Sequence, residues 1–288
     1  MVNRFSFLFV AALLGAVVLT LVARTATGPV TLNRARRFAR RQELLVTSTN
    51  GLLVLRALTV THRWRTLGLT TGVFLGVLWA LRDARLTINF TAAFLGWFVG
   101  AVIAEWRLAG LPVEGGRRTA SLARRTISGY LRTDSTVLLG ATVVALVSLF
   151  AAVTLRAGGD GTVLTQAVGW MLVAVVGLGA VWATLRRVAS RPQPGSTPEL
   201  LAADDALRAR SANVLAGSAI VAAGYPASSL LSLMGDPGSL DSTSTWGTAG
   251  LVSLFVTVAV GWLVAVRRSP VRTHPSTTVS VDAKDRTP

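Results

Sequence analysis

The sequence predicts an all-α integral membrane protein with seven transmembrane helices, an N-terminus outside and a cytoplasmic C-terminus. Of the 288 residues 51% are hydrophobic, and they occur in blocks of sixteen or more rather than at the short period of a soluble core. A helix of about 20 apolar residues crosses the ~30 Å hydrocarbon layer. The basic residues lie almost entirely between alternate blocks, which is the pattern of cytoplasmic loops.

Seven apolar blocks are interpreted as spans of a single transmembrane domain, residues 1–266. The spans are Phe5–Ala23, Thr66–Leu81, Thr87–Ala104, Val137–Leu155, Val163–Leu185, Ala212–Met234 and Gly247–Val266. The first exceeds the roughly 7–15 apolar residues of a signal peptide, so we interpret it as a span. The remaining residues, 267–288, contain proline, serine and threonine but no apolar run, which predicts a disordered cytoplasmic tail.

The distribution of charge determines the predicted orientation. Of the 29 Lys and Arg residues, 25 fall in four inner segments, 24–65, 106–135, 186–211 and 267–288. The four that remain outside are Arg4, Arg82, Arg85 and Arg156. One span more or fewer would reverse every later segment and destroy this alternation. The net charge of +16 therefore indicates loops that face anionic lipid, and no nucleic-acid partner is expected.

The second and third spans form a predicted membrane hairpin with a tryptophan and arginines at each foot. Five glycines follow one another at four-residue spacing along its two arms, in the manner of a glycine zipper: Gly68, Gly72, Gly76, Gly96 and Gly100. Glycine at this spacing lets helix backbones approach closely in lipid. We expect the two stripes to face each other, rather than to reflect the general frequency of glycine in membrane helices. Exposed stripes could also pair between two copies of the protein.

The cytoplasmic segments carry most of the arginines. Those between Arg34 and Arg41 spread nearly round a helix, which predicts no clean apolar face and favours a loop on anionic lipid over a protein-docking surface. Segment 117–132 is amphipathic and predicts an interfacial helix with arginines toward lipid head groups, or one packed on another cytoplasmic segment. Those arginines are Arg117, Arg118, Arg124 and Arg125. Asp204 and Arg208 form a predicted i,i+4 pair of a few tenths of a kcal/mol.

The sixth span is the most polar, and its hydroxyls cluster around a helix-breaking proline. Ser218, Tyr225, Pro226 and Ser229 are the residues of a possible transport path, because broken helices often form transport sites. Glu105, at the inner end of the third span, is either a gating or coupling carboxylate or a snorkelling partner of Arg107.

Three stretches, Thr61–Gly68, Arg117–Leu131 and Ala202–Gly217, resemble uncharacterised multi-pass integral membrane proteins of actinobacteria. The resemblance covers about half of the chain. It implies a membrane topology of this kind and carries no site residues.

The composition removes most enzymatic chemistry. The chain has no cysteine and only two histidines, both outside the predicted spans, and its single lysine is Lys284. Thiolate catalysis, zinc-peptidase motifs and a P-loop are therefore excluded. The run Gly158–Gly161 superficially resembles the signature of an intramembrane aspartyl enzyme. It lies in a predicted outer turn, however, and no other predicted span supplies the second aspartate, so we interpret it as a plain turn.

We expect no catalytic residue, cofactor or metal. The favoured function is a structural or regulatory membrane subunit of the bacterial plasma membrane, acting through its arginine-rich cytoplasmic segments. Its expected partners are anionic lipids and other membrane proteins or a second copy of itself. The alternative is a transporter or permease component with a path along the sixth span.

Overall fold

The computed structural model describes residues 32–42, 44, 47, 50–82, 90–109, 127–191, 197–235 and 245–267, with single positions 15, 16 and 20. Regular structure in these ranges is entirely helical, which confirms the all-α class there. The helices are α1 (Leu32–Arg41), α2 (Gly51–Arg82), α3 (Phe90–Ala109), α4 (Thr133–Arg156), α5 (Gly161–Ser190), α6 (Pro198–Ser232) and α7 (Thr245–Val266). A 3₁₀ turn, Ile127–Gly129, precedes α4.

Four of these helices, α4 to α7, are long and apolar enough to cross a membrane, which supports the membrane class. The predicted first span, apart from three positions, lies outside the described residues. So do the connection between α2 and α3, most of the segment between α6 and α7 and the residues beyond Arg267.

Helix α6 is the centre of the bundle. Its most apolar stretch is 72% buried, against 11% to 22% for α4, α5 and α7. The surrounding helices turn large apolar side chains outward, among them Val144, Val147, Val176, Phe255 and Trp262. An apolar exterior around a partly polar centre is the arrangement that a lipid solvent favours, because lipid leaves nothing to gain from hiding valine or phenylalanine.

The arms of the predicted hairpin, α2 and α3, meet backbone to backbone through glycine. A Cβ added to Gly68 would lie 2.2 Å from the Gly96 carbonyl oxygen, and one added to Gly72 would lie 2.0 Å from that of Ala92. A Cβ on Gly100 would lie 2.3 Å from the Trp64 carbonyl oxygen. The glycine stripes of the two arms therefore lie against each other within one chain; Gly76 on the same stripe is buried.

A second close pair joins α6 to α7, and the sequence analysis did not identify it. A Cβ on Gly217 would lie 2.3 Å from the Gly261 carbonyl oxygen, and one on Gly224 would overlap the side chain of Thr257. Gly250 similarly lies against Ser232. The glycines of this contact are seven positions apart in α6 and eleven apart in α7, so no four-residue glycine repeat marks them in the sequence.

Several helices continue beyond the predicted spans at one end of the bundle, which we call the arginine-rich end. There α3, α5 and α7 end, α4 begins, and the first parts of α2 and α6 project. Contacts between helices confirm that these termini lie together: Trp106 with Thr184, Arg191 with Asp204, and Arg267 with Asp134.

Helix α1 packs on these projections and has a clear apolar face, contrary to the sequence prediction. Ala35, Phe38 and Ala39 are buried, and the first two belong to a cluster with Val54 of α2 and Leu207 of α6. The neighbouring arginines are exposed. Two alanines and one phenylalanine at helical spacing are enough for burial, because an alanine face allows close approach.

The predicted helix 117–132 is replaced at its end by the 3₁₀ turn. Ile127 and Leu131 pack on the bundle, and Tyr130 is buried and donates a hydrogen bond to Asp205 at 3.1 Å. These apolar side chains contact α5 and α6, as the packed alternative expects. Arg117, Arg118, Arg124 and Arg125 lie outside the described residues.

Substituting Gly68 by Ala is predicted to separate α2 from α3. The new methyl group meets a backbone oxygen that cannot rotate away, and overpacking of this kind costs about 1–3 kcal/mol. Thermal unfolding in detergent measures the loss. Gly140→Ala is the matched control, because its Cβ meets nothing within 4 Å and alanine favours a helix by about 1 kcal/mol. Equal stability of the two variants would contradict the close packing.

Candidate functional site

The most elaborate polar site lies where α5 ends against α6. The Nη1 atom of Arg208 donates to the carbonyl oxygens of Val188 and Ala189, both at 3.0 Å, and Nη2 donates to that of Arg191 at 2.6 Å. The last carbonyls of a helix have no partner within the helix. The guanidinium of α6 therefore supplies the missing donors and places positive charge at the negative end of the α5 dipole.

Asp204 completes the site, one turn before Arg208. Its Oδ2 atom accepts from Arg208 Nε at 2.8 Å, and Oδ1 faces the Arg191 guanidinium. Arg208 is 0% exposed and Asp204 is 1% exposed. We call Arg191, Asp204 and Arg208 the inner clamp, because their charges hold the end of α5 to the flank of α6.

The sequence analysis underestimated the interaction between Asp204 and Arg208, to which it assigned only a few tenths of a kcal/mol. Their i,i+4 spacing is present, but the pair is buried rather than on a solvated face. A buried ion pair is stable only if its other donors and acceptors are also hydrogen-bonded. Loss of one partner leaves an uncompensated charge in the interior. The sequence around Arg208 could not predict its other partners, because the three carbonyls lie at the end of a different helix.

Glu105 lies near the end of α3 at the arginine-rich end of the bundle, and its partner differs from the one predicted. Its carboxylate lies 3.6 Å from Arg65 of α2, whereas the Arg107 guanidinium lies over the ring of Trp64 at 5.2 Å. Glu105 is 2% exposed, and within the described part of the chain neither oxygen has a hydrogen-bond partner. Glu105 and Arg65 therefore form a loose, largely buried ion pair between α3 and α2.

Tryptophan rings hold several arginines at the arginine-rich end. Arg65 lies over Trp97, Arg186 over Trp182 and Arg187 over Trp106, with distances of 5.7, 5.5 and 4.4 Å to the ring centroids. Tryptophan favours the interface between lipid and water. These stacks bring tryptophan and arginine together at one end of the apolar helices.

The proposed path residues of α6 lie in a packed environment. Ser229 donates to the Tyr225 carbonyl at 3.1 Å, and Tyr225 packs edge-on against Trp170 with ring centroids 5.3 Å apart. Pro226 is buried inside the helix, and Ser218 is buried. A hydroxyl that bonds to its own helix is occupied by the backbone, as those of Ser228 and Ser229 are by the Tyr225 carbonyl.

The glycine-rich run Gly158–Gly161 between α4 and α5 serves as a turn and a helix cap. Gly158 and Gly159 have positive φ angles of 53° and 99°, which favour glycine. Asp160 caps α5 by accepting from the Thr162 backbone N–H at 2.9 Å. The Thr162 hydroxyl and backbone N–H lower the pKa of Asp160. This aspartate acts as a helix cap.

No cluster of three or more potential metal ligands occurs among the residues that the structure describes. Comparison with known proteins gave no matching family model, curated protein or solved structure. The described site therefore has to be interpreted from its own geometry.

Removing the carboxylate of the inner clamp is predicted to destabilise the protein strongly. Asp204→Ala leaves Arg208 buried beside the Arg191 charge, and the expected loss is about 3–5 kcal/mol. Urea or thermal unfolding in detergent measures this free energy. Asp205→Ala is the neighbouring control and is expected to lose less, because this carboxylate is only half-buried. Equal losses at 204 and 205 would refute the clamp.

Proposed function

We propose that the protein is a seven-span protein of the bacterial plasma membrane, with its N-terminus outside and its arginine-rich end in the cytoplasm. Four apolar helices support the membrane class. Adding α2, α3 and the first apolar block gives seven spans and leaves 25 of 29 basic residues on one side. Arginine retention in the cytoplasm then sets the direction of insertion.

The absence of native cysteine makes this topology directly testable. Single cysteines are introduced at exposed Ser190 and at Gly161, where an added Cβ meets nothing within 4 Å. A membrane-impermeant maleimide applied to intact cells should label Gly161→Cys and leave Ser190→Cys unlabelled until the cells are opened. Labelling of Ser190→Cys in intact cells would reverse the orientation.

We propose further that the protein is a structural or regulatory membrane subunit, not an enzyme, and that it acts through its cytoplasmic arginines. The inner clamp is the observation that carries this proposal. Its buried charges join α5 to α6, and the joined helices form a rigid support at the arginine-rich end. A rigid support with exposed cations is suited to holding a partner by charge and shape.

Helix α1 provides the cationic surface of this support. Arg36, Arg37 and Arg40 are exposed and lie within about 100° of arc, at 100° per residue. The opposite face carries the buried Phe38, whose ring lies 5.4 Å from the guanidinium carbon of Arg210. The arginines therefore point away from the protein, and the expected partner is a membrane protein with an acidic cytoplasmic segment.

Replacing the three α1 arginines by glutamine should release such a partner. Affinity purification in mild detergent compares the wild type, Arg36→Gln/Arg37→Gln/Arg40→Gln, and the triple lysine variant. The glutamine variant is expected to lose at least about tenfold of the copurified partner, and the lysine variant to retain most of it, because the contact is electrostatic. Isolation of the wild type without any partner would contradict the proposal.

The alternative proposal is a transporter component. Two observations favour it: the Ser218 hydroxyl and both Glu105 oxygens are buried without a hydrogen-bond partner in the described part of the chain. Buried ionisable groups near a membrane often mark ion pathways. Proton flux into dye-loaded vesicles separates the two proposals: a transporter gives flux that Glu105→Gln abolishes, whereas a structural subunit gives none in either form.

A further inference from the structure

One exposed face of α5 has the layout of a phospholipid-binding surface. At 100° per residue, Trp182, Ala183, Arg186 and Arg187 fall on an arc of about 140°. All four are exposed. Arg186 lies inside the arc, and Arg187 lies at the edge opposite Trp182. Trp106 of α3 stacks against Arg187 and so bounds that edge.

The arginines are held in place before any ligand arrives. Arg186 stacks on Trp182 and Arg187 on Trp106, at 5.5 and 4.4 Å from the ring centroids. The Trp106 ring is itself fixed, because its Nε1 donates to the Thr184 hydroxyl at 3.1 Å. Stacked guanidinium groups keep their edges free to donate, and less conformational entropy is lost when they bind a phosphate.

Neither arginine is neutralised by the residues that the structure describes. The ion pairs of this end involve other arginines, those at positions 65, 132, 191, 208 and 267. Arg186 and Arg187 therefore present uncompensated positive charge at the depth of the tryptophans.

The same arc becomes apolar toward the middle of the bundle. Leu172, Val175 and Val176 lie on it and are 60%, 58% and 70% exposed. Gly179 also lies on it, and an added Cβ there would meet nothing within 4 Å. From Arg186 to Val176 the helix rises about 15 Å, which is the hydrophobic depth of one leaflet, half of ~30 Å.

We propose that this face of α5 binds an anionic phospholipid of the cytoplasmic leaflet. The phosphate would accept hydrogen bonds from Arg186 and Arg187 between the tryptophans, and an acyl chain would lie along the apolar arc over Gly179. The inference rests on the proposed orientation of the arginine-rich end. A lipid is favoured over an acidic protein segment because phosphate and hydrocarbon sites follow each other along the membrane normal.

Lipid retention by the full-length protein tests this assignment. The purified protein is mixed with phosphatidylglycerol or phosphatidylcholine in detergent, and bound lipid is counted by native mass spectrometry. The wild type should retain phosphatidylglycerol at least about fivefold better than phosphatidylcholine. Arg186→Gln/Arg187→Gln should lose this preference, whereas Arg156→Gln, an exposed arginine at the opposite end, should keep it.

A variant that preserves the charge can test the site even if the glutamine variant fails to fold. Arg186→Lys/Arg187→Lys retains the charge and loses the planar stack, so an intermediate preference is expected. Unchanged retention in both double variants, an equal loss in Arg156→Gln, or displacement of the lipid by millimolar inorganic phosphate would overturn the proposal. Since no protein partner is involved, failure of the α1 pull-down leaves this result unaffected, and labelling of Ser190→Cys separately tests the leaflet.

Discussion

The guanidinium of Arg208 is the group on which the arrangement of the helices depends. A buried charge is tolerated only when every donor is satisfied, and here three carbonyls of the α5 terminus and one carboxylate of α6 do so. This fixes where α5 ends and how α6 passes it. The first part of α6 then presents Leu207 to α1 and α2, and its second part packs against α4, α5 and α7. One desolvated cation thus sets the register of the arginine-rich end.

Along the rest of the bundle the helices associate by shape. Lipid offers no hydrophobic drive between helices, so close backbone contact and dispersion have to supply the attraction. The chain achieves this twice, at Gly68 and Gly96 in one pair and at Gly217 and Gly261 in the other. Large side chains are left for the lipid side of the bundle, where Val144 and Phe255 are exposed.

The sequence predicts this protein best where a single physical rule dominates. Block hydrophobicity gives the all-α class, and four-residue glycine spacing indicates the surface that joins α2 to α3. It fails where partners are distant along the chain: Glu105 meets Arg65 rather than its neighbour Arg107, because α2 and α3 pack side by side. It also fails at α1, where arginines spread around the helix predict no apolar face, although Ala35 and Phe38 form a small buried one. The lipid-facing arc of α5 could not be predicted either. It depends on which side of α5 is exposed and on the position of Trp106 beside that helix, and both follow only from the fold.

Helix α6 runs without interruption from Pro198 to Ser232, about 52 Å at 1.5 Å per residue. Its weak point is Pro226, which removes the hydrogen bond to the carbonyl four residues earlier. That point lies near the end remote from the clamp. The long segment before it is joined to α5 by the clamp, whereas the short segment after it is held by α7, because Gly250 lies against Ser232. The two ends of α6 therefore have different neighbours, and a disturbance of the loop after α6 would reach α7 before it reached the arginine-rich end.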